Sequence, residues 1–347
     1  MKKGLKKLTL AGLAATVMMF STAFSWKEPQ QEHSSLPAQS NKAFKVALLL
    51  PGNAQDGGFM ESAYQGLMRA QQDFGVQVTY KDKVPHDTEK LSEALRELAK
   101  TNPDMIIGHA GQSMEAVNIV SKEFPKIKFV NTQTNLTGEN VSSYQVLQEE
   151  SAWLAGAAAG LLTKTNTVGH ISGAKVTPGF KGRAAFADGL KYTNPSATFL
   201  TTFTGNQDNA ELAKRVALAQ IESGADMIFT MLNMARQGVI DANRETGTHQ
   251  FGNVRDYYND APDVFIGSAV SDASRTVYSA IQDLVERDWK AGSVVLIGLE
   301  DSEAVRLALS PEVPQEVKDK IEELSQKIRS GEIVINLNYT GPEFTNY

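Results

Sequence analysis

No cysteine occurs among the 347 residues. Disulfides, thiolate metal ligands, a cysteine nucleophile and anchoring through a lipidated cysteine are thereby excluded. Histidine is also sparse. His33, His86, His109, His170 and His249 form no i, i+4 pair and no H-E-x-x-H, so no sequence signature of a zinc site is present. Nothing reads G-x-x-x-x-G-K-[ST], and "GNAQDGG" lacks the dinucleotide-binding spacing. That loop also carries Asp56 where a phosphate wants N–H donors and positive charge. No G-x-S-x-G occurs, so no nucleophile elbow is expected. A basic excess is missing too: the formal net charge of −6 gives no electrostatic case for a nucleic-acid partner.

Apolar runs long enough to span a bilayer are missing past the N-terminus. "ESAWLAGAAAGLLT" is bounded by Glu150 and Lys164, leaving about 13 residues between them. Its small residues suit close helix packing. The N-terminus is a separate object. Residues 1–25 hold four lysines, an apolar run from Leu8 to Phe24 and the ending Ala23-Phe24-Ser25, the order of a secretory signal peptide. Cleavage after Ser25 would take the charge from −6 to −10, since four lysines and no acids are lost. Trp26 to Ala43 reads as a polar, proline-interrupted, disordered leader. The expected location is the periplasm, as a soluble protein without a lipid anchor.

What remains is a rhythm. Lys45–Leu50 is apolar, Gly58–Asp73 has helical spacing, Val76–Lys81 reads as extended, and Leu91, Leu95 and Leu98 mark one face of a helix. "DMIIGHA" and "IKFVNTQ" are further buried strands around a helix reaching Phe124. After the middle, "TVGHISG", "ATFLTTFTG" and "ADMIFTML" alternate with helices at Phe180–Tyr192, Asp208–Ser223 and Ala235–Thr246. A last amphipathic helix ends near Gly331 and is followed by an expected strand. Alternating β and α units imply an α/β protein with parallel sheets and right-handed crossovers. Two series imply two doubly wound lobes with a cleft between them. The expected division is 44–162 plus about 265–292 for the first lobe, and 163–264 plus about 293–347 for the second. In such sheets ligands sit outside the carboxyl ends of strands.

Several blocks, in order, resemble the basic membrane protein (BMP) family of ABC-transporter solute-binding proteins, which includes purine nucleoside receptors. "DGGFMESAYQGL" resembles the family's D-x-S-F-N-x-x-x-x-x-G element, and "QEESAWLAGAAAGLLTKTNTVGHISG" resembles its E-x-S-x-L-A-G helix and following strand. "FADGLKYTNP", "GADMIFTMLNMARQGVIDANRETG", "APDVFIGSAVSDASRTVYSAIQDL", "VLIGLEDSEAVRLAL" and "IRSGEIVI" continue the match from about Phe44 to about Ile335. The resemblance implies a type I periplasmic-binding fold. It also implies a purine ligand, with an aromatic ring stacked on the base and carboxylates gripping ribose hydroxyls. Phe59 takes the place of the stacking aromatic, and Asp56 that of the acid before it. Met60 stands where the family has Asn, and Asn53 lies in the same loop.

Departures bear on the sugar. The family's strand-end G-V-D reads "FGNVRDYY", leaving Asn253 or Asp256 as candidates. Its lysine becomes Ser271, with Asp272 beside it. "LNMARQ" brings in Asn233 and Arg236, "GHAGQS" could present His109 and Gln112, and "GAKVTPGFKGR" keeps Phe180. Losing an acid and a lysine removes charge-assisted partners for hydroxyls. The expected ligand is therefore a purine-like heterocycle, a free base or a nucleoside, passed to an ABC permease. No cofactor and no catalysis are expected, and the protein is expected to act as a monomer. The alternatives are a periplasmic sensor subunit or a nucleoside hydrolase. The hydrolase would need an acid cluster holding a metal, where the first loop supplies only Asp56.

Overall fold

Residues 43–347 are described by a computed structural model. The expected signal segment and all of the expected leader except Ala43 lie outside them. Five strands follow in turn: β1 (Lys45–Leu49), β2 (Gln77–Lys81), β3 (Met105–Gly108), β4 (Lys128–Thr132) and β5 (Val141–Val146). With β11 (Val294–Ile297) they form one parallel sheet, ordered β11-β5-β4-β3-β1-β2. Its strands are apolar on both faces because helices cover both. Val46 and Leu48 of β1 pack with Leu67 of α1 (Phe59–Phe74) and Ile281 of α8 (Ser274–Glu286). Ala47 and Leu49 feed the other face, beside Leu95 of α2 (Thr88–Ala99) and Val120 of α3 (Met114–Glu123). The edge strand β2 is mostly exposed and reads QVTYK, polar as an edge needs to be.

The second sheet repeats the plan. Its members are β6 (Thr167–Ser172), β7 (Thr198–Phe203), β8 (Met227–Met231), β9 (His249–Val254), β10 (Phe265–Ser271) and β12 (Val305–Leu309). The order is β12-β10-β9-β8-β6-β7, and only β12 runs antiparallel. One face is covered by α4 (Gln148–Leu162), α5 (Thr177–Thr193) and α9 (Gln315–Arg329), the other by α6 (Ala210–Glu222) and α7 (Arg236–Thr246). The glycines of α4 and α5 explain their closeness. A Cβ at Gly156 would lie 2.0 Å from the Phe186 carbonyl oxygen, and one at Gly189 2.0 Å from that of Trp153. Trp153 is fully buried and donates from Nε1 to Asp188 at 2.8 Å, the packing role its sequence context suggests.

Strand membership departs from the expected division in three places. Helix α4, expected with the first lobe, packs on α5 and β10, because its alanines and glycines match the glycines of α5. Strand β10, also expected there, lies between β9 and β12 in the second sheet. Strand β11, expected in the second lobe, closes the first sheet beside β5. The chain therefore crosses between sheets three times: entering α4, between β10 and α8, and between β11 and β12. After α9 the expected strand does not form. Ile333 and Ile335 pack against the α4–α5 layer instead, and the tail then reaches β7, where the Phe344 amide donates to Thr201 at 2.7 Å.

Candidate functional site: a cleft between two strand-end walls

The carboxyl ends of both parallel sheets carry their loops toward one another. On the first sheet, β1 runs into Pro51–Gly58 and then α1. Asp56 holds that loop in shape: its carboxylate accepts from the amides of Gly58 at 2.9 Å, Met60 at 3.2 Å and Glu61 at 3.1 Å. A carboxylate at a helix N-terminus is favoured by the unpaired amides and by the helix dipole. Asp56 thus serves primarily as the cap of α1. Phe59 follows, half-buried, its ring 4.4 Å from that of His109 with a 39° tilt. His109 is fully buried after β3, and burial pushes its pKa down to about 3, so the ring is neutral. Its Nδ1 lies 2.7 Å from the Thr132 hydroxyl, which also accepts from the Ala110 amide at 3.0 Å.

Three of these strand ends carry backbone strain. Ala110 after β3 has φ 68°, Gln133 after β4 has φ 59° and Val254 at the end of β9 has φ 75°. A β-branched residue at positive φ is a true outlier, and such strain costs on the order of 1–3 kcal/mol each. It persists where surrounding structure over-determines it, commonly at ligand sites.

The second wall is built differently. Asn233 opens the turn after β8, and a Cβ at Gly58 would lie 3.0 Å from its Oδ1, so the two walls touch there. Beside this contact is a cavity of about 240 Å³, lined by Asp56 and Gly57 from one wall and by Asn233, Arg236, Arg255 and Tyr257 from the other. Arg236 is buried and its pKa is lowered by desolvation; its guanidinium carbon sits 3.8 Å from the Tyr257 ring centre. Arg255 sits 4.1 Å from the same centre and is paired with Asp260 at 2.6 Å.

The other expected site residues are dispersed. Asn53 is exposed, its Oδ1 accepting from Gln55 at 3.1 Å. Met60 is buried in the first-lobe core, its side chain against Gly52. Gln112 is exposed. Phe180 is 40% exposed on the second lobe, 5.2 Å from Phe203 and 5.5 Å from the guanidinium of Arg183. Asn253 is buried at the end of β9, whereas Asp256 is exposed and accepts from the Tyr258 amide at 3.0 Å. Asp272 is consumed structurally: its Oδ1 accepts from Ser62 at 2.7 Å and from the Ser274 amide at 2.9 Å, tying α1 to the start of α8. His170, which is not among them, lies inside β6, fully buried against Phe199, Phe203 and Phe229. Sequence reading missed Tyr257 and Arg255. Their one trace was the run "VRDYY", where an aromatic and an arginine share a strand end.

The crossings that join the walls are braced. Glu150, at the start of α4, accepts from the Leu299 amide at 2.7 Å, and Arg275 at the start of α8 pairs with Asp301 at 2.8 Å. Glu149 and Glu300 crowd Glu150, and burial is the main cause that raises its pKa to about 7.

Residues 43–339 match the Bmp family, described as ABC transporter substrate-binding protein PnrA-like. The chain belongs to this family. Among similar proteins is the CD4+ T-cell-stimulating antigen of Listeria monocytogenes serovar 1/2a (strain ATCC BAA-679 / EGD-e), 28% identical over 86% of this chain and 89% of the relative. The transcriptional activator protein med of Bacillus subtilis (strain 168) is 25% identical over 85% and 92%. Basic membrane protein B of Borreliella burgdorferi (strain ATCC 35210 / DSM 4680 / CIP 102532 / B31) is 24% identical over 86% and 89%. Among solved structures, a solute-binding protein of an ABC transporter system from Aeropyrum pernix K1 superposes with a TM-score of 0.74 at 22% identity, covering 85% of this chain and 94% of that one. The arabinose-binding protein AraP of Geobacillus stearothermophilus gives 0.60 at 13% identity, over 81% and 99%. These likenesses fix the fold as the two-lobed, type I periplasmic-binding architecture. Among the described residues no helix is long and apolar enough to cross a membrane.

Proposed function

We propose that this Bmp-family protein is the extracytoplasmic capture component of an ABC importer, closing its two lobes on a purine-like heterocycle and handing it to a membrane permease. The supporting observation is the Phe59–His109 pair. A neutral histidine backs a half-buried aromatic ring at the strand ends, a surface suited to a flat heterocycle and not to a sugar's hydroxyls. The carboxylates expected to grip ribose are engaged elsewhere: Asp56 caps α1, Asp272 ties α1 to α8, and Asp256 stabilises its own turn. The reading therefore favours a free base over a nucleoside. Asn233 and Gln112 amides are the groups assigned to the heterocycle's edge, and Phe180 and Asn253 belong to the opposing wall. Action as a periplasmic monomer is part of the proposal.

A thermal-shift screen of the protein against purine bases, nucleosides, pyrimidines, sugars and amino acids tests it. A ligand at 100 times its Kd adds roughly 2.7 kcal/mol. A rise with purine bases is expected. A rise confined to another solute class overturns the ligand assignment.

A second reading draws on the relatives named as transcriptional activators, in Bacillus subtilis and, among structures, Bacillus halodurans. In it the liganded form is presented to a membrane receptor. Ligand-dependent retention on a permease rather than a receptor decides between them.

A further inference from the structure

Arg236 is 6% exposed, and among the described residues no carboxylate lies within ion-pair distance of it. Its neighbours are matched: Arg255 with Asp260 at 2.6 Å and Arg244 with Asp263 at 2.7 Å. One Arg236 nitrogen donates to the Leu232 carbonyl, whereas Nε finds no hydrogen-bond partner among the described residues. The Tyr257 ring lies against the guanidinium and attracts its charge, and Asp260 adds attraction from beyond ion-pair distance, but neither supplies the Nε acceptor. A buried cation short of acceptors is costly unless something supplies them. Arg236 also lines the 240 Å³ cavity between the walls. That volume falls below the roughly 300–1,000 Å³ of a whole small-molecule pocket, so it suits one group of a ligand.

The chemistry of that group follows from the donors. A guanidinium presents a planar fork that matches a carboxylate or phosphate. Arg255, Asn233 and Gln237 line the same space with further donors, and Arg236 itself opens the 11-residue helix α7, whose first amides add positive potential. The acids lining it are engaged: Asp260 holds Arg255, and Asp56 accepts from three amides. We propose that this cavity is an oxyanion subsite, taking a phosphate or carboxylate on Arg236. Placing that anion on the captured solute rests on the inter-lobe reading above; the subsite itself rests on Arg236.

The test titrates the protein with purine, purine-6-carboxylate and inorganic phosphate, and repeats it with Arg236→Gln and Arg236→Lys. The expected result is binding of the carboxylate at least about tenfold tighter than purine, a ratio that falls to about one in Arg236→Gln and is partly kept in Arg236→Lys. Saturable binding of inorganic phosphate, dependent on Arg236 and with no heterocycle binding, keeps the subsite as one for a free anion and overturns the purine reading. Purine binding with no gain from its carboxylate, and silence with inorganic phosphate, overturns the subsite and leaves the purine reading standing. Should the variants fail to fold, the wild-type ratio of the carboxylate to purine decides alone.

Discussion

The two walls of the cleft share a topology and differ in chemistry. Each is a set of parallel-strand ends followed by helix N-termini, yet the first holds a half-buried Phe59 against a fully buried, neutral His109, and the second a cationic cluster on Tyr257. The same difference shows in how charge is treated. In the first wall Asp56 is spent on its own helix cap, and His109 is held neutral by burial. In the second, Arg236 keeps its charge inside the protein without an acidic partner among the described residues. The contrast teaches that a shared topology does not fix the chemistry of its strand ends; under the proposed function one wall would receive a face and the other an edge or a charge.

Removing the aromatic face should have the largest effect. Phe59→Ala is expected to weaken purine binding by about 1–3 kcal/mol, roughly 5- to 150-fold, by titration calorimetry. An equal affinity in the variant would erase the distinction between the walls. The hinge joining them comes next. Glu150 has a folded pKa of about 7 against an ordinary 4.5, so its protonated form is the one that folding favours. Its contribution is complete below about pH 4.5 and is lost as pH rises through about 7. Stability should therefore fall between about pH 5 and pH 8. Allowing for the solvent that reaches the carboxyl, the change is on the order of 1–2 kcal/mol. Glu150→Gln should flatten that part of the profile in chemical denaturation.

Asp56→Ala is expected to cost about 0.5–2 kcal/mol of stability, the scale of a lost helix cap. A large loss of binding with no loss of stability would return Asp56 to the ligand. The smallest effect is assigned to Asp256→Ala, exposed in its own turn, with stability within about 0.5 kcal/mol of wild type and purine affinity unchanged. A marked affinity loss there would move the second wall's polar contact from Asn253 to Asp256.

Much of the fold was legible because buried parallel strands and amphipathic helices write period and run length directly into sequence. Val46–Leu50 and Met227–Met231 could hardly read otherwise. The lobe division failed where one segment serves two neighbours. Helix α4 is apolar all round, so its periodicity points to no single sheet, and the short β11 carries no signal of which edge it will join. At the site, Phe59 stands out in the sequence as the aromatic of its loop, and its contact with a ligand belongs to the proposal. The roles of Asp56 and Asp272 were not, because a carboxylate that caps a helix and one that grips a ligand look alike in sequence. Tyr257 was hidden because its importance comes from Arg236, 21 residues earlier and brought near only by the pairing of β8 with β9.

The most direct test is calorimetric titration of the wild-type protein with a purine base, run beside Phe59→Ala. The expected result is one purine bound per chain with a clearly weaker Phe59→Ala. Saturable heat from a sugar or an amino acid, with none from any purine, would contradict the account.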